Sequence, residues 1–263
     1  MKTKMILTAL FLTAAITSLA AQNAGHLDAF AVVRASRDRI KAETISTRSR
    51  MVINARDGST TERLIDQYSK DGPNGSRAVI VFQQPASVAG TRFLTITNAG
   101  GTDDRWIFLP NLGRVRRIAA SEGSGSFVGT DFSYDDVSSA NRRADLDTHT
   151  ILREENYNGA VCYVIQSVPK DNSYQYSKMV QWITKDSFIV TKIELFDRRN
   201  THVKTAEMSG IRDIQGRLTV TVTKMTTHTT GTFTTITNEI TRYDDPVPEA
   251  VFTTEYLETG RAR

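Results

Sequence analysis

The chain has a single cysteine, Cys162, among 263 residues, so no disulfide can form within it and the fold must be held by its own core. Cys162 sits in the apolar run Ala160-Val-Cys-Tyr-Val-Ile165 and is expected to be a small buried hydrophobe. Histidine is nearly as scarce. His26, His149, His202 and His228 are dispersed, and none has a second ligand at metal spacing, so no metal site is expected. Charge of one sign is also lacking. The formal net charge of +4 halves once Lys2 and Lys4 are discounted, and basic residues cluster only at Arg114, Arg116 and Arg117. No nucleic-acid partner is therefore expected.

Catalytic signatures are missing too. Gly123-Ser-Gly-Ser126 lacks the Gly-x-Ser-x-Gly spacing and fits neither the dinucleotide nor the phosphate-loop pattern, so it reads as a flexible loop. The adjacent carboxylates Asp135-Asp136 and Asp244-Asp245 point in different directions, whereas acid–base catalysis needs two carboxyls facing one bond. Ser133, three residues before Asp136, reads instead as a helix start, with Asp136 near the positive end of the helix dipole. No enzyme activity and no cofactor are expected.

Only one long apolar run exists, at the N-terminus. Lys2 and Lys4 precede an apolar stretch over residues 5–19, and Ser18-Leu19-Ala20 offers the small residues a signal peptidase inspects. The run is too short for a membrane span, so residues 1–20 are predicted to be a cleaved signal peptide, with a mature start near Ala21 or Gln22. No cysteine stands at the cleavage point to carry a lipid. The remainder, 21–263, reads as one soluble domain of about 240 residues, long enough for its own core.

What is present is mostly β pattern. One amphipathic helix is predicted over 27–42, where Phe30, Val33, Arg37 and Ile40 recur at helical spacing and Arg34, Asp38, Arg39 and Lys41 mark a polar side. Strands are predicted over 45–54, 61–69, 77–83, 91–97, 105–109 and 114–118. A second series follows over 150–157, 160–168, 176–184, 188–197, 202–213, 218–225 and 232–243. Asp57-Gly58, Asn158-Gly159, Lys185-Asp186 and Gln215-Gly216 have hairpin turn chemistry, so the series should run as an antiparallel meander that curls. Leu218, Val220 and Val222 alternate with Thr219, Thr221 and Thr223, which predicts a half-buried strand with a hydroxyl face and a turn near Thr229-Thr-Gly231. No linker divides the chain.

The densest span runs from Trp106 to Asp136. Trp106 and Phe108 share one strand face and Ile107 and Leu109 the other, so this strand needs cover on both sides. That cover is either protein on both faces, with solvated arginines, or a lid or ligand on a curved inner face.

The chain from about residue 45 onward resembles the LolA-like family of outer membrane lipoprotein-sorting proteins. The resemblance is carried by Phe82, Pro85, Gly90-Thr91, Phe93-Leu94, Trp106-Ile-Phe-Leu-Pro110, Arg114-Val-Arg-Arg117 and Phe127-Val-Gly-Thr-Asp-Phe-Ser-Tyr-Asp-Asp136, then by Trp182-Ile-Thr, Lys192-Ile-Glu-Leu and the strand ending at Gly210. Phe-Val-Gly-Thr stands where that family tends to have Phe-Met-Gly-Ser, and Gly113 replaces a commoner lysine. The resemblance implies a mainly β fold, a strongly curved antiparallel half-barrel (LolA/LolB-like) with a helical lid over an apolar cavity. It also implies a periplasmic carrier of lipoprotein acyl chains or other lipids, working with an inner-membrane transporter and an outer-membrane acceptor. On that reading Trp106, Phe108, Phe127, Phe132 and Tyr134 line the cavity or its mouth. Arg114, Arg116 and Arg117 meet a headgroup or a partner, and Gly123, Gly125 and Gly129 are lid hinges. A periplasmic adaptor with a self-filled inner face is the competing expectation, and a lipid hydrolase lacks a nucleophile–base pair.

Overall fold

The computed structural model describes residues 27–72, 75–98, 103–138 and 142–262. The predicted signal peptide lies outside the described residues.

A first run of strands turns back on itself five times: β1 (Thr44–Asn54), β2 (Thr60–Gly72), β3 (Gly75–Gln84), β4 (Arg92–Asn98), β5 (Asp103–Leu109) and β6 (Arg114–Arg117). A second run contains β7 (Asp147–Tyr157), β8 (Ala160–Pro169), β9 (Lys178–Thr184), β10 (Val190–Phe196) and β11 (His202–Ser209). It continues through the short hairpin β12 (Arg212–Ile214) and β13 (Arg217–Thr219) to β14 (Val222–Thr227) and β15 (Thr232–Tyr243). All but β12 and β13 join one 13-stranded sheet, ordered β6-β5-β4-β3-β2-β1-β15-β14-β11-β10-β9-β8-β7, in which every pairing is antiparallel. The first and last strands pair in its middle, and Met51 stands opposite Ile236. The sheet is curved and does not close, because β6 and β7 are its two edges.

That topology has a direct consequence. β6 and β7 are consecutive in the chain yet sit at opposite edges, so the segment between them, described over 118–138 and 142–146, must cross one face of the sheet. We call that face the inner one. Alternation along each strand sends Met51, Ile65, Phe82, Phe93 and Ile107 inward, where they join Phe127 and Phe132 of the crossing segment in the largest core cluster. The opposite face of β3 and β4 carries Val79, Val81 and Leu94, covered by Val251, Phe252 and Leu257 of the C-terminal turn and of helix α3 (Thr254–Thr259).

Most expected strands form, with shifted ends. Two are split instead. The expected strand 202–213 breaks at Gly210, whose φ of +64° ends β11, and 218–225 divides at Val220 and Thr221. The alternation there also runs opposite to expectation. Thr219 and Thr221 are buried and Leu218 is exposed, because the Thr219 hydroxyl meets the Tyr243 hydroxyl at 2.7 Å and Thr221 donates to the Gly210 carbonyl at 2.6 Å. The early helix is shorter than predicted. Helix α1 covers Ala29–Asp38 and starts at Asp28, whose side chain accepts from the Ala31 amide at 2.7 Å. Its buried stripe is Ala29, Val32, Val33 and Ser36, packed on Tyr163, Ile165 and Ile183, while Phe30 faces outward. Cys162 is fully buried, as its setting implied. Among the described residues no helix is long and apolar enough to cross a membrane.

Candidate functional site

The inner face is filled unequally, and the crossing segment determines how. Its loop is a narrow hydrogen-bonded excursion: Asp135 N–H donates to the Gly123 carbonyl at 2.9 Å, Tyr134 to Gly125 at 3.1 Å and Phe127 to Phe132 at 2.8 Å. At its tip Val128 and Gly129 have φ of +50° and +74°, a conformation that costs a β-branched residue energy unless neighbours fix it. Arg63 of β2 supplies that fixing contact, since its Nη1 donates to the Val128 carbonyl at 2.5 Å. Arg63 is buried, its Nε has no partner, and burial pulls its guanidinium below the ordinary value with no carboxylate opposing the shift. Nothing in the sequence marked this arginine, because a charged residue on a mixed strand normally faces water.

The loop drives Phe127 into the first run of strands. Its ring lies 5.1 Å from Phe93, 5.8 Å from Phe82 and 5.8 Å from Tyr134, leaving that side densely packed with aromatics. Next comes helix α2 (Tyr134–Ser138), entered through the expected capping box. Ser133 N–H donates to Asp136 at 2.8 Å and Asp136 N–H donates to the Ser133 hydroxyl at 3.1 Å. The adjacent carboxylates of this helix do point apart, and each ties it to a different half of the sheet. Asp135 meets Arg105 of β5 at 2.5 Å, and Asp136 meets Lys204 of β11 at 2.8 Å while accepting from the Tyr176 hydroxyl at 2.8 Å. Burial holds the Asp135 carboxyl above its ordinary value, although Arg105 pulls it down.

Among the described residues the filling stops beyond α2. A cavity of about 250 Å³ lies between Phe132 and the inner faces of β9, β10, β11 and β14. Its walls are mainly Met179, Ile193, Leu195, Ala206, Met208 and Met225, with Tyr174 and Tyr176 on the approach to β9. Burial raises both phenols, so they stay neutral hydrogen-bonding groups. One end is cationic: Arg37 from α1 and Arg142 from the crossing segment both reach it. Arg142 pairs with Asp147 at 2.6 Å and stacks over Tyr174 at 4.2 Å. Burial depresses the Arg142 guanidinium, but the Asp147 pair outweighs it and the net shift is upward. The Arg37 guanidinium is lowered by burial, and Asp147 works against that shift.

The expected site residues therefore separate. Phe132 lines the cavity, while Phe127 and Tyr134 pack beside it in the same cluster. Trp106 and Phe108 lie on the other face, in the cluster with Val251 and Leu257. The strand's two-residue period allows one pair inside only, and Ile107 and Leu109 take that place. Arg114, Arg116 and Arg117 stand on edge strand β6, away from the cavity. Arg116 pairs with Glu122 at 2.5 Å, Arg117 with Asp104, and Arg114 is exposed. Gly123 is required by close approach, since a Cβ there would lie 2.2 Å from an Asp135 oxygen, and Gly125 has Glu122 O at 3.0 Å. Arg37 did leave a trace in the sequence, falling at apolar spacing in the helix. Arg142 left none. Among the described residues no cluster of three His, Cys, Asp or Glu side chains could hold a metal ion.

Comparison with known proteins follows the same geometry. A family profile described as "Uncharacterized protein" matches residues 74–259. Among solved structures, a domain assigned as an outer membrane lipoprotein-sorting protein from Vibrio parahaemolyticus superposes with a TM-score of 0.83 at 27% identity. That match covers 88% of this chain and 98% of the other. A DUF1329 family protein from Desulfovibrio piger gives 0.83 at 29% identity, over 87% and 97%. A LolA superfamily protein from Nitrosomonas europaea shares the fold, with a TM-score of 0.71 at 20% identity over 88% and 100%. No protein of curated function matches the sequence. The chain belongs to the family that this profile describes, and its fold is that of the outer membrane lipoprotein-sorting domain, the DUF1329 protein and the LolA superfamily protein.

Proposed function

We propose that this chain is a periplasmic carrier that shelters the acyl part of a lipoprotein or another lipid between envelope membranes. The observation that carries the reading is the space left beside Phe132, walled by methionine, leucine and isoleucine side chains. Each methylene exposed to water costs about 0.8 kcal/mol, so a long acyl chain leaves a bilayer only if a protein surface replaces the lipid. Methionine suits that duty, because its unbranched, polarisable side chain adapts to variable shapes.

Cavities of about 150 Å³ hold benzene, and pockets enclosing larger ligands run from roughly 300 Å³ upward. A space of about 250 Å³ thus accepts part of a chain in the closed form, and the cover must shift to admit more. On this reading the cover is α1 with residues 123–137, and Gly123, Gly125 and Gly129 absorb the backbone change. The contacts to be released are Asp136–Lys204 and Asp135–Arg105. Phe127, Phe132 and Tyr134 are the aromatic part of the site. Arg114, Arg116 and Arg117 meet a transporter or acceptor protein at the sheet edge, and Trp106 and Phe108 support the sheet from behind. Residues 1–20 serve as the export signal and 21–263 as the working domain. The role is binding rather than catalysis.

Solvent extraction of the purified protein followed by mass spectrometry tests the proposal. Acyl-bearing molecules in stoichiometric amount, reduced when Phe132 is replaced by Ser with the fold intact by circular dichroism, are the expected result. A protein that carries no lipid and takes up none from vesicles is an adaptor, and the carrier reading fails.

A further inference from the structure

The cavity has a polarity that the carrier reading alone does not explain. Its acyl-compatible wall is formed by Met179, Leu195 and Met225, and its other end by the guanidinium-bearing Arg37 and Arg142. The same two arginines line a second, outward-facing space of about 490 Å³, so they stand at the neck between apolar interior and polar exterior. Among the described residues lining the inner space Asp136 is the one carboxylate, and it is already held by Lys204 and Tyr176. Asp147, which binds Arg142 at 2.6 Å, is the carboxylate that also acts on Arg37. Asp147 thus attracts both arginines, and the two arginines repel each other.

We infer that the neck is a headgroup site, and that the ligand is a single-chain amphiphile with an anionic head. The tail enters the space beside Phe132 and a carboxylate or phosphate meets Arg37 and Arg142. Planar guanidinium groups bind either oxyanion through paired N–H donors, so a fatty carboxylate and a lysophospholipid phosphate share this chemistry. One tail needs a smaller shift of the cover than the bundle of chains on a triacylated lipoprotein, given a closed volume of about 250 Å³. The inference rests on the carrier reading and adds the identity of the ligand's head and the number of its tails.

The test uses the delipidated full-length mature chain and isothermal titration with four probes below their critical micelle concentrations. These are a C14 fatty acid, a C14 lysophosphatidate, an uncharged C14 monoacylglycerol and a triacylated lipopeptide. The expected result is at least tenfold tighter binding of one or both anionic single-chain probes than of the monoacylglycerol. That ratio should collapse in Arg37→Gln and in Arg142→Gln, each checked for an intact fold by circular dichroism. The better of the two anionic probes identifies the head as carboxylate or phosphate. Equal affinity for charged and uncharged single chains, or a preference for the lipopeptide, overturns the headgroup inference and leaves the carrier reading standing. Failure of all four probes to bind removes both.

Discussion

The two halves of the inner face are built from the same alternation but filled in opposite ways. Against β3 and β4, Phe127 meets Phe82, Phe93 and Tyr134 at ring distances between 5.1 and 5.8 Å, and the side chains close on one another. Against β9 to β14, the walls are Met179, Met208 and Met225 with short aliphatics, and a hollow remains. Rigid rings with one well-fitting arrangement specify a fixed docking point for the crossing segment. Flexible thioethers leave volume that can change shape. One segment thus has an anchored end and an end standing over open space, which is what a hinged cover requires.

The largest expected effect probes the anchored side. Phe127→Ala removes a fully buried ring and should cost about 3–5 kcal/mol in urea denaturation. Met225→Ala, beside a space that already exists, should sit at the low end, about 2 kcal/mol. Equal losses would erase the contrast between the halves. The tie across them comes next. Asp136→Ala leaves Lys204 without its carboxylate in a poorly solvated place, and should cost about 3 kcal/mol or more. Adding Lys204→Met should recover much of that loss, a coupling that a double-mutant cycle measures directly.

Arg63→Met gives a smaller and more local change. It removes an uncompensated buried cation together with the donor to Val128, so global stability should move by less than about 1 kcal/mol. Amide exchange over 126–131 should nonetheless accelerate. Unchanged exchange there would mean that Arg63 does not hold the loop. The smallest effect concerns pH. The raised Asp135 carboxyl binds its proton more tightly in the folded chain than in the unfolded one. Its contribution is complete below the ordinary carboxylate value and is lost as pH rises through the elevated one. Stability of wild type minus Asp135→Asn should therefore fall with rising pH across that window. A flat difference would show that Arg105 cancels the burial effect.

The strands and their turns were legible because alternation and Gly, Asn and Asp turn residues are local signals, and the Ser133–Asp136 capping box was legible for the same reason. The pairing of β1 with β15, residues nearly 200 apart, was not. That pairing makes β6 and β7 the sheet edges and sends residues 118–138 and 142–146 across the inner face, so the site is a product of topology. Trp106 and Phe108 show the limit well. Their shared face could be read from spacing, but which face looks inward depends on the neighbouring strands. Arg37 left only its apolar spacing in the helix as a trace, and Arg142 and Arg63 became visible only when helix, crossing segment and sheet were brought together.

A filling substitution tests the central claim most directly. Ala206 is buried and lines the hollow, and Ala206→Phe would occupy that volume. Titration with a fluorescent acyl probe should show binding weakened at least tenfold while the thermal midpoint stays level or rises. Undiminished binding by a folded Ala206→Phe protein would mean that acyl chains do not enter this space.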